Sequence, residues 1–241
     1  MIKIHTIGQL QSALDNELAW RVKEIADLKY AIKQSKALAE GTLIRAGVAL
    51  LYAHWEGFIK SAATAYLNFV SCQGLNYRDL QSCFAVRGLK KHLYELSDGR
   101  NARLAVVALE FLRAGMHDRA ELQISNAIDK GNLKAEVFEN IAWSIGISAT
   151  PYESKFKLVD ESLLKRRNKI AHGEFVDIDG EGWRDLAGEV LLLLRQFKTD
   201  IENAASLSAY RATPGLARNE PKSANACTNL DSARLPGERR P

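Results

Sequence analysis

One short segment of the chain carries the residue types that bind phosphate. It reads LLKRRNKIAHGE over residues 163–174, and it places Arg167 five positions before His172. The whole chain has a net charge of only +4, so a phosphate site would depend on charge that is concentrated locally. The segment supplies such charge and can hold a phosphodiester, since its cations are Lys165, Arg166, Arg167 and Lys169.

The residues that follow this segment predict that its helix ends there. Gly173 comes directly after His172, and the turn-prone sequence DIDG occupies residues 177–180. On a continuous α-helix, residues five positions apart point about 140° away from each other, so Arg167 and His172 would not share a face. A helix that ends at or before His172 lets its side chain turn toward Arg167. The alternative is a solvated basic helix end, which the helix dipole favours without any catalysis.

A second run of interest, LLYAHWEGFIK, occupies residues 50–60 within a strongly apolar helical pattern. Tyr52 and Glu56 are four positions apart and so share a helix face. A carboxylate on such a helix needs a partner, and Arg167 is one candidate. Trp55 is expected in the core. For Tyr52 and Glu56, structural pairing and a place in a site are both open.

Together the two runs resemble the HEPN superfamily, the small all-helical nucleases of prokaryotic toxin and defence systems. The sequence RNKIAH at residues 167–172 matches the Arg-polar-x-x-x-His signature of that superfamily. The Tyr-x-x-Trp-Glu-Gly pattern at residues 52–57 is similar to the first core helix of one branch. The helical resemblance covers roughly residues 8–205, and the middle, about 72–150, is not specifically matched.

The resemblance implies metal-independent cleavage of RNA, in which the 2′-hydroxyl attacks the adjacent phosphate. It implies that His172 acts as general base or acid and that Arg167 holds the scissile phosphate. Asn168 would orient a neighbour or bind phosphate. No cofactor is implied. The other residues implied are supporting ones, Tyr52 and Glu56, and RNA-binding ones, Lys165, Arg166 and Lys169.

The resemblance also implies partners and a setting. Two chains would pair as a homodimer with their Arg-x4-His segments facing each other across a two-fold axis. The protein would be an endoribonuclease of a toxin–antitoxin or phage-defence system, with RNA and an antitoxin or defence protein as partners. Two alternatives stay open: a non-catalytic HEPN-type module that binds RNA or nucleotide or scaffolds a neighbouring protein, and a partner of a neighbouring nuclease.

Three other classes of site lack residues that they require. The run His54-Trp55-Glu56 is half of a zinc deaminase signature, but Pro-Cys-x-x-Cys is absent. A calcium loop beginning at Asp177 would need glutamate where Gly188 stands. Neither GxGxxG nor GxxxxGK[ST] occurs, so no nucleotide phosphate loop is expected.

Apolar spacing of three and four predicts the elements that position these residues. The pattern indicates an all-α bundle of the HEPN type, in which two long antiparallel helices precede a helical insertion, with little or no sheet. We expect one domain over residues 1–211 and a disordered tail over 212–241, where the sequence is rich in Pro, Ser, Asn and Arg. The predicted helices span residues 8–36, 40–71, 77–96, 101–114, 117–130, 133–146, 152–170 and 183–209.

Composition and cysteine spacing indicate the kind of cellular compartment that suits the protein. The three cysteines, Cys72, Cys83 and Cys227, show no CxxC spacing, which disfavours a disulfide scaffold or a zinc knuckle and fits a reducing cytoplasm. The most apolar stretch, residues 46–53, is far shorter than the about 20 residues that a membrane span needs. We therefore expect a soluble cytoplasmic protein that does not enter a membrane.

Overall fold

The computed structural model describes residues 3–97, 101–124 and 131–212. Its first two helices are α1 (Ile7–Gln34) and α2 (Ala37–Cys72), close to the predicted bounds. A capping box between Thr6 and Gln9 fixes the start of α1. The two helices are antiparallel, as is shown by the hydrogen bond that the Ile4 N–H, just before α1, donates to Asn68 near the end of α2. The prediction of a long antiparallel pair is confirmed.

The last helix, α7 (Gly180–Ser206), completes a three-helix core with α1 and α2. Asp179 caps its first turn by accepting from the Gly182 N–H at 2.8 Å. Gly47 of α2 lets α7 approach closely, since a Cβ there would lie 2.6 Å from the indole nitrogen of Trp183. The largest side chains buried in the core include Trp55, Trp183, Tyr52, Tyr66, Tyr152, Phe58, Phe84, Phe138 and Phe197.

The middle of the chain contains α3 (Ser82–Ser97), α4 (Ala102–Ala114) and α5 (Ala135–Ser144). The prediction of a helix over residues 117–130 is wrong for the part that the structure describes. Residues 118–121 instead run beside residues 75–77, where the Ala120 N–H donates to the Leu75 carbonyl at 2.8 Å. Those backbone groups are therefore not available to an α-helix. Residues 125–130 of this prediction lie outside the described residues.

The predicted helix over residues 152–170 is not one continuous α-helix. A 3₁₀ segment, Thr150–Lys155, leads to a π-helical segment, Leu158–Leu164, and then to the short α6 (Lys165–Ala171). In the π-helical turn the Lys165 N–H donates to the Asp160 carbonyl, five residues back. Such turns insert one extra residue and are frequent at functional sites. Here the turn immediately precedes the basic segment.

The fold is all-α, as predicted. Among the described residues the extended pairings are two isolated bridges, one of which joins Leu80 to Arg211. Ala212 follows that bridge and donates to the Asp79 carbonyl, while the remainder of the predicted disordered tail lies outside the described residues. None of the helices in the described ranges is long and apolar enough to cross a bilayer.

Candidate active site

The segment that carries Arg167 and His172 ends as its sequence predicts. α6 stops at Ala171, and Gly173 adopts a left-handed conformation with φ +78°. The Gly173 N–H donates to Ile170 and the Glu174 N–H to Lys169, at 3.1 and 2.9 Å. These two bonds form a Schellman motif, which satisfies carbonyls that the helix leaves without partners. His172 is therefore the residue that caps α6, outside its last regular turn.

The structure places Arg167 of α6 against Tyr52 of α2. The guanidinium carbon of Arg167 lies 4.4 Å from the centre of the Tyr52 ring, which is cation–π geometry. Its NH1 also donates to the Asn168 side-chain oxygen at 2.8 Å. The two runs that are 115 positions apart in sequence thus meet in space, and the guanidinium is held on two sides.

Tyr52, whose ring lies under the guanidinium, is buried, and its hydroxyl has polar neighbours of its own. It accepts from the Leu133 N–H at 2.7 Å, and the Glu56 carboxylate, one helical turn further along α2, acts on it electrostatically. Burial, together with the negative charge of Glu56, raises the pKa of Tyr52 to about 12, although the bond from Leu133 acts in the opposite direction. Tyr52 is consequently a neutral donor and acceptor at physiological pH.

Glu56 finds a different cationic partner from the one suggested by the sequence. Its carboxylate pairs with Lys60, one helical turn further along α2, rather than with Arg167. The Lys60 ammonium also donates to the Gly131 carbonyl at 2.9 Å. Glu56 and Lys60 are each about four-fifths buried, so the pair ties the start of the segment before α5 to α2.

His172 lies in a contrasting setting because its side chain is exposed. Within the described residues, no hydrogen bond connects it to Arg167, whose polar side-chain partner is Asn168. The backbone of His172 is nonetheless fixed, since its N–H donates to the Asn168 carbonyl at 3.0 Å. The imidazole is thus carried on an ordered turn and is accessible to a macromolecular substrate.

His54 lies at the interface between α2 and α1. Although it belongs to the same run as Tyr52, it faces α1, where its Nε2 lies 3.0 Å from a Glu24 carboxylate oxygen and its ring contacts Trp20 edge-on. Burial lowers the pKa of His54, and the charge of nearby Arg21 adds to this, whereas Glu24 opposes it. The geometry makes His54 a structural residue of the α1–α2 interface.

The predicted RNA-binding cations line α6 with unequal exposure. Lys165 and Lys169 are exposed, and Arg166 is half-buried. Lys165 pairs with Glu161 at 2.8 Å, and this bond lowers the pKa of the Glu161 carboxyl. Both partners are more than half exposed, so the pair is weak and can open when a phosphate competes for the ammonium.

Two residues that support the site were not identified from the sequence. Arg45 of α2 donates to the Glu174 carbonyl at 3.1 Å and so anchors the turn that follows His172. No local pattern connects positions so far apart in the chain. Lys60 could have been found, because it stands four residues after Glu56, the spacing of a helical ion pair.

Chemically, the arrangement combines an oriented cation with an exposed imidazole. The guanidinium can bind an oxyanion, and an imidazole exchanges protons near neutral pH. In the described ranges, no three His, Cys, Asp or Glu side chains are grouped so as to hold a metal ion.

Comparison with known proteins found one family. A family model described as RiboL-PSP-HEPN matches residues 16–203, a span that contains both runs and the middle of the chain. A search of curated proteins and a search of solved structures each found no match.

Proposed function

We propose, since the chain belongs to the RiboL-PSP-HEPN family, that it is a metal-independent endoribonuclease of a prokaryotic toxin–antitoxin or phage-defence system. Membership by itself suggests an RNase or RNA-binding role. The observation that carries the finer proposal is that α6 and its C-terminal cap carry two groups five positions apart: a guanidinium held by Tyr52 and Asn168, and an exposed imidazole at position 172.

The proposed reaction is an internal transesterification of RNA. The 2′-hydroxyl oxygen attacks the adjacent phosphorus while the bond from phosphorus to the 5′-oxygen breaks. His172 takes the proton from the attacking hydroxyl or gives one to the departing 5′-oxygen. The products are a 2′,3′-cyclic phosphate and a 5′-hydroxyl. DNA lacks the attacking group and is not cleaved in this way.

Arg167 stabilises the charge that develops on the phosphate oxygens. Its guanidinium carries five donors in a planar fork, and the bond to Asn168 uses one of them. Stacking on Tyr52 restricts the orientation of the fork before RNA arrives. A preoriented cation loses less conformational entropy on binding and need not rearrange in the transition state.

Lys165, Arg166 and Lys169 extend the proposed RNA contact along α6. Exposed lysines neutralise phosphates without reading sequence, and each such contact makes binding weaker as salt rises. A homodimer is part of the proposal because the family resemblance implies it, and it would bring two α6 ends to one substrate. An antitoxin or other defence protein is the proposed regulatory partner.

The decisive experiment incubates purified wild-type and His172→Ala protein with total RNA in the presence of EDTA. Loss of a general acid or base predicts that cleavage falls by about 10²–10⁴-fold. His5→Ala is the matched control, because His5 is also exposed but lies before α1, and we expect it to cleave normally. Expression of the wild type, but not of His172→Ala, should slow growth of the host.

Two results would overturn the proposal: cleavage that EDTA abolishes, or full activity of the His172→Ala protein. Salt-sensitive RNA binding by a wild-type protein that does not cleave would instead favour the non-catalytic module. His172 is exposed and has no hydrogen bond to Arg167 within the described residues, and this observation keeps the second function in view.

A further inference from the structure

The turn that follows His172 exposes a phenylalanine. Phe175 has 77% of its surface exposed, whereas its neighbour Val176 is buried at 8%. A single exposed apolar residue is ordinary on a protein surface, so exposure alone assigns no role. The position of Phe175 and the order of its backbone distinguish it.

The backbone that carries Phe175 is held from both sides. The Glu174 N–H closes the Schellman motif at Lys169, and the Glu174 carbonyl accepts from Arg45. Burial of Val176 fixes the chain immediately after Phe175. The ring is therefore presented from an ordered turn, and little backbone entropy remains to be lost when a ligand packs against it.

Phe175 also stands only three positions after His172 in the chain. Three residues of extended chain span at most about 11 Å, which bounds the distance between the Cα atoms of Phe175 and His172. The cations of α6 lie on the other side of His172 in sequence. An aromatic face beside a phosphate-binding cluster is the combination that single-stranded nucleic acids use, with bases stacked on rings and the backbone held by cations.

We propose that Phe175 is a stacking platform for a nucleobase next to the scissile phosphate, and that it therefore contributes affinity for single-stranded RNA but not for a duplex. This inference rests on the proposed function, since it places the base relative to Arg167 and His172. Bases within a duplex are stacked on one another and cannot lie on the ring. Unpaired loops and single strands are the RNAs whose bases can lie on the ring.

The test measures binding separately from cleavage. Fluorescence anisotropy is recorded with a labelled RNA whose sugars carry 2′-O-methyl groups, which remove the attacking hydroxyl, both as a single strand and as the matching duplex. Removal of one base–aromatic stack weakens binding by about 5- to 150-fold, so Phe175→Ala should lose that factor for the single strand alone. Phe175→Trp keeps an aromatic face and should retain affinity.

Tyr94→Ala is the matched control, because Tyr94 is an aromatic residue of similar exposure, 68%, on α3. It should bind as the wild type does. The salt dependence of Phe175→Ala should also match the wild type, since no phosphate contact is removed. Sedimentation of each variant tests the alternative that the exposed ring packs against a second copy of this chain.

Unchanged single-strand affinity in Phe175→Ala, equal losses on single strand and duplex, or no RNA binding by the wild type would overturn the inference. So would dissociation of a wild-type dimer caused by Phe175→Ala, because the ring would then belong to a subunit interface. These outcomes are distinguishable from failure of the proposed function. Cleavage that requires His172 but is unaffected by Phe175→Ala would support the proposed function and contradict this inference. Single-strand binding that requires Phe175, in a protein that does not cleave, would support the stacking role and contradict the proposed function.

Discussion

The two sequence runs that indicated this family have opposite environments in the fold. On α2, Tyr52 is buried, and its hydroxyl accepts a hydrogen bond from the Leu133 N–H. On α6, His172 is exposed and caps the helix. Arg167 joins the two, because it belongs to α6 but lies on the Tyr52 ring.

This difference separates the residues that support the fold from those that are proposed to react with RNA. A buried polar network is costly to break, since groups left without partners inside a protein pay their desolvation in full. An exposed side chain on an ordered turn contributes little to stability but can reach a ligand. Substitutions of buried side chains on α2 should therefore change mainly the free energy of unfolding, and those of exposed side chains at the end of α6 mainly the rate of the proposed RNA cleavage.

Arg167 is the residue whose loss should change both quantities strongly, because it belongs to both regions. Arg167→Ala should lower the cleavage rate by about 10²–10³-fold, the loss typical of one donor to a developing oxyanion. It should also lower the free energy of unfolding by about 0.5–2 kcal/mol through the lost cation–π contact. Initial rates on RNA and urea unfolding measure the two effects.

Arg167→Lys sharpens this test, because lysine keeps the charge but lacks the planar fork that stacks and binds in pairs. We expect it to recover only part of the rate. The control is Arg195→Ala, an exposed arginine of α7, which should leave both quantities unchanged. Full activity of Arg167→Lys would show that charge alone matters and that the stacking on Tyr52 has no part in catalysis.

Tyr52→Phe tests the buried side of the comparison. The substitution keeps the ring under Arg167 but leaves the buried Leu133 N–H without its acceptor. We expect the free energy of unfolding to fall by about 1–3 kcal/mol. Urea unfolding measures it, with Tyr30→Phe as control, since Tyr30 is 66% exposed on α1. Unchanged stability accompanied by lost cleavage would instead make the hydroxyl part of the reaction.

The sequence was sufficient where structure follows from local pattern. The spacing of apolar residues predicted α1 and α2 within a few residues, and Gly173 correctly predicted the end of α6. The contact of Arg167 with the Tyr52 ring was not predicted: the sequence offered Arg167 as a partner of Glu56, and nothing local encodes which of the two it meets. The same holds for Arg45, whose bond to Glu174 spans 129 positions.

The errors arose where tertiary contacts override periodicity. Residues 118–121 have no helix because their backbone pairs with residues 75–77. The π-helical turn before α6 was not predicted, because the spacing of apolar residues there was compared only with the 3.6 residues per turn of a regular α-helix. The roles of His172 and Lys169 remain predictions, because what an exposed side chain does depends on its ligand.

Gly173→Ala tests the ordered turn at the exposed end. A Cβ at Gly173 would meet nothing within 4 Å, so the cost is that of the left-handed backbone at φ +78°, about 1–2 kcal/mol. Gly188→Ala is a matched control inside α7, where a Cβ also meets nothing and alanine should stabilise the helix by about 0.5–1 kcal/mol. Thermal unfolding of both variants checks the opposite signs. Equal shifts would mean that the backbone conformation at position 173 carries no cost.

The smallest effect expected is a pH dependence from the buried histidine. Burial lowers the pKa of His54 in the folded state, so between that value and about 6.5, the ordinary value, the unfolded chain binds more protons. The free energy of unfolding should then fall as pH drops below about 6.5, and His54 should contribute nothing above about pH 7.5. Urea unfolding from pH 5 to 8 should give a flatter profile for His54→Gln than for wild type. A steeper fall in His54→Gln would mean that Glu24 outweighs burial and that protonation of His54 stabilises the fold.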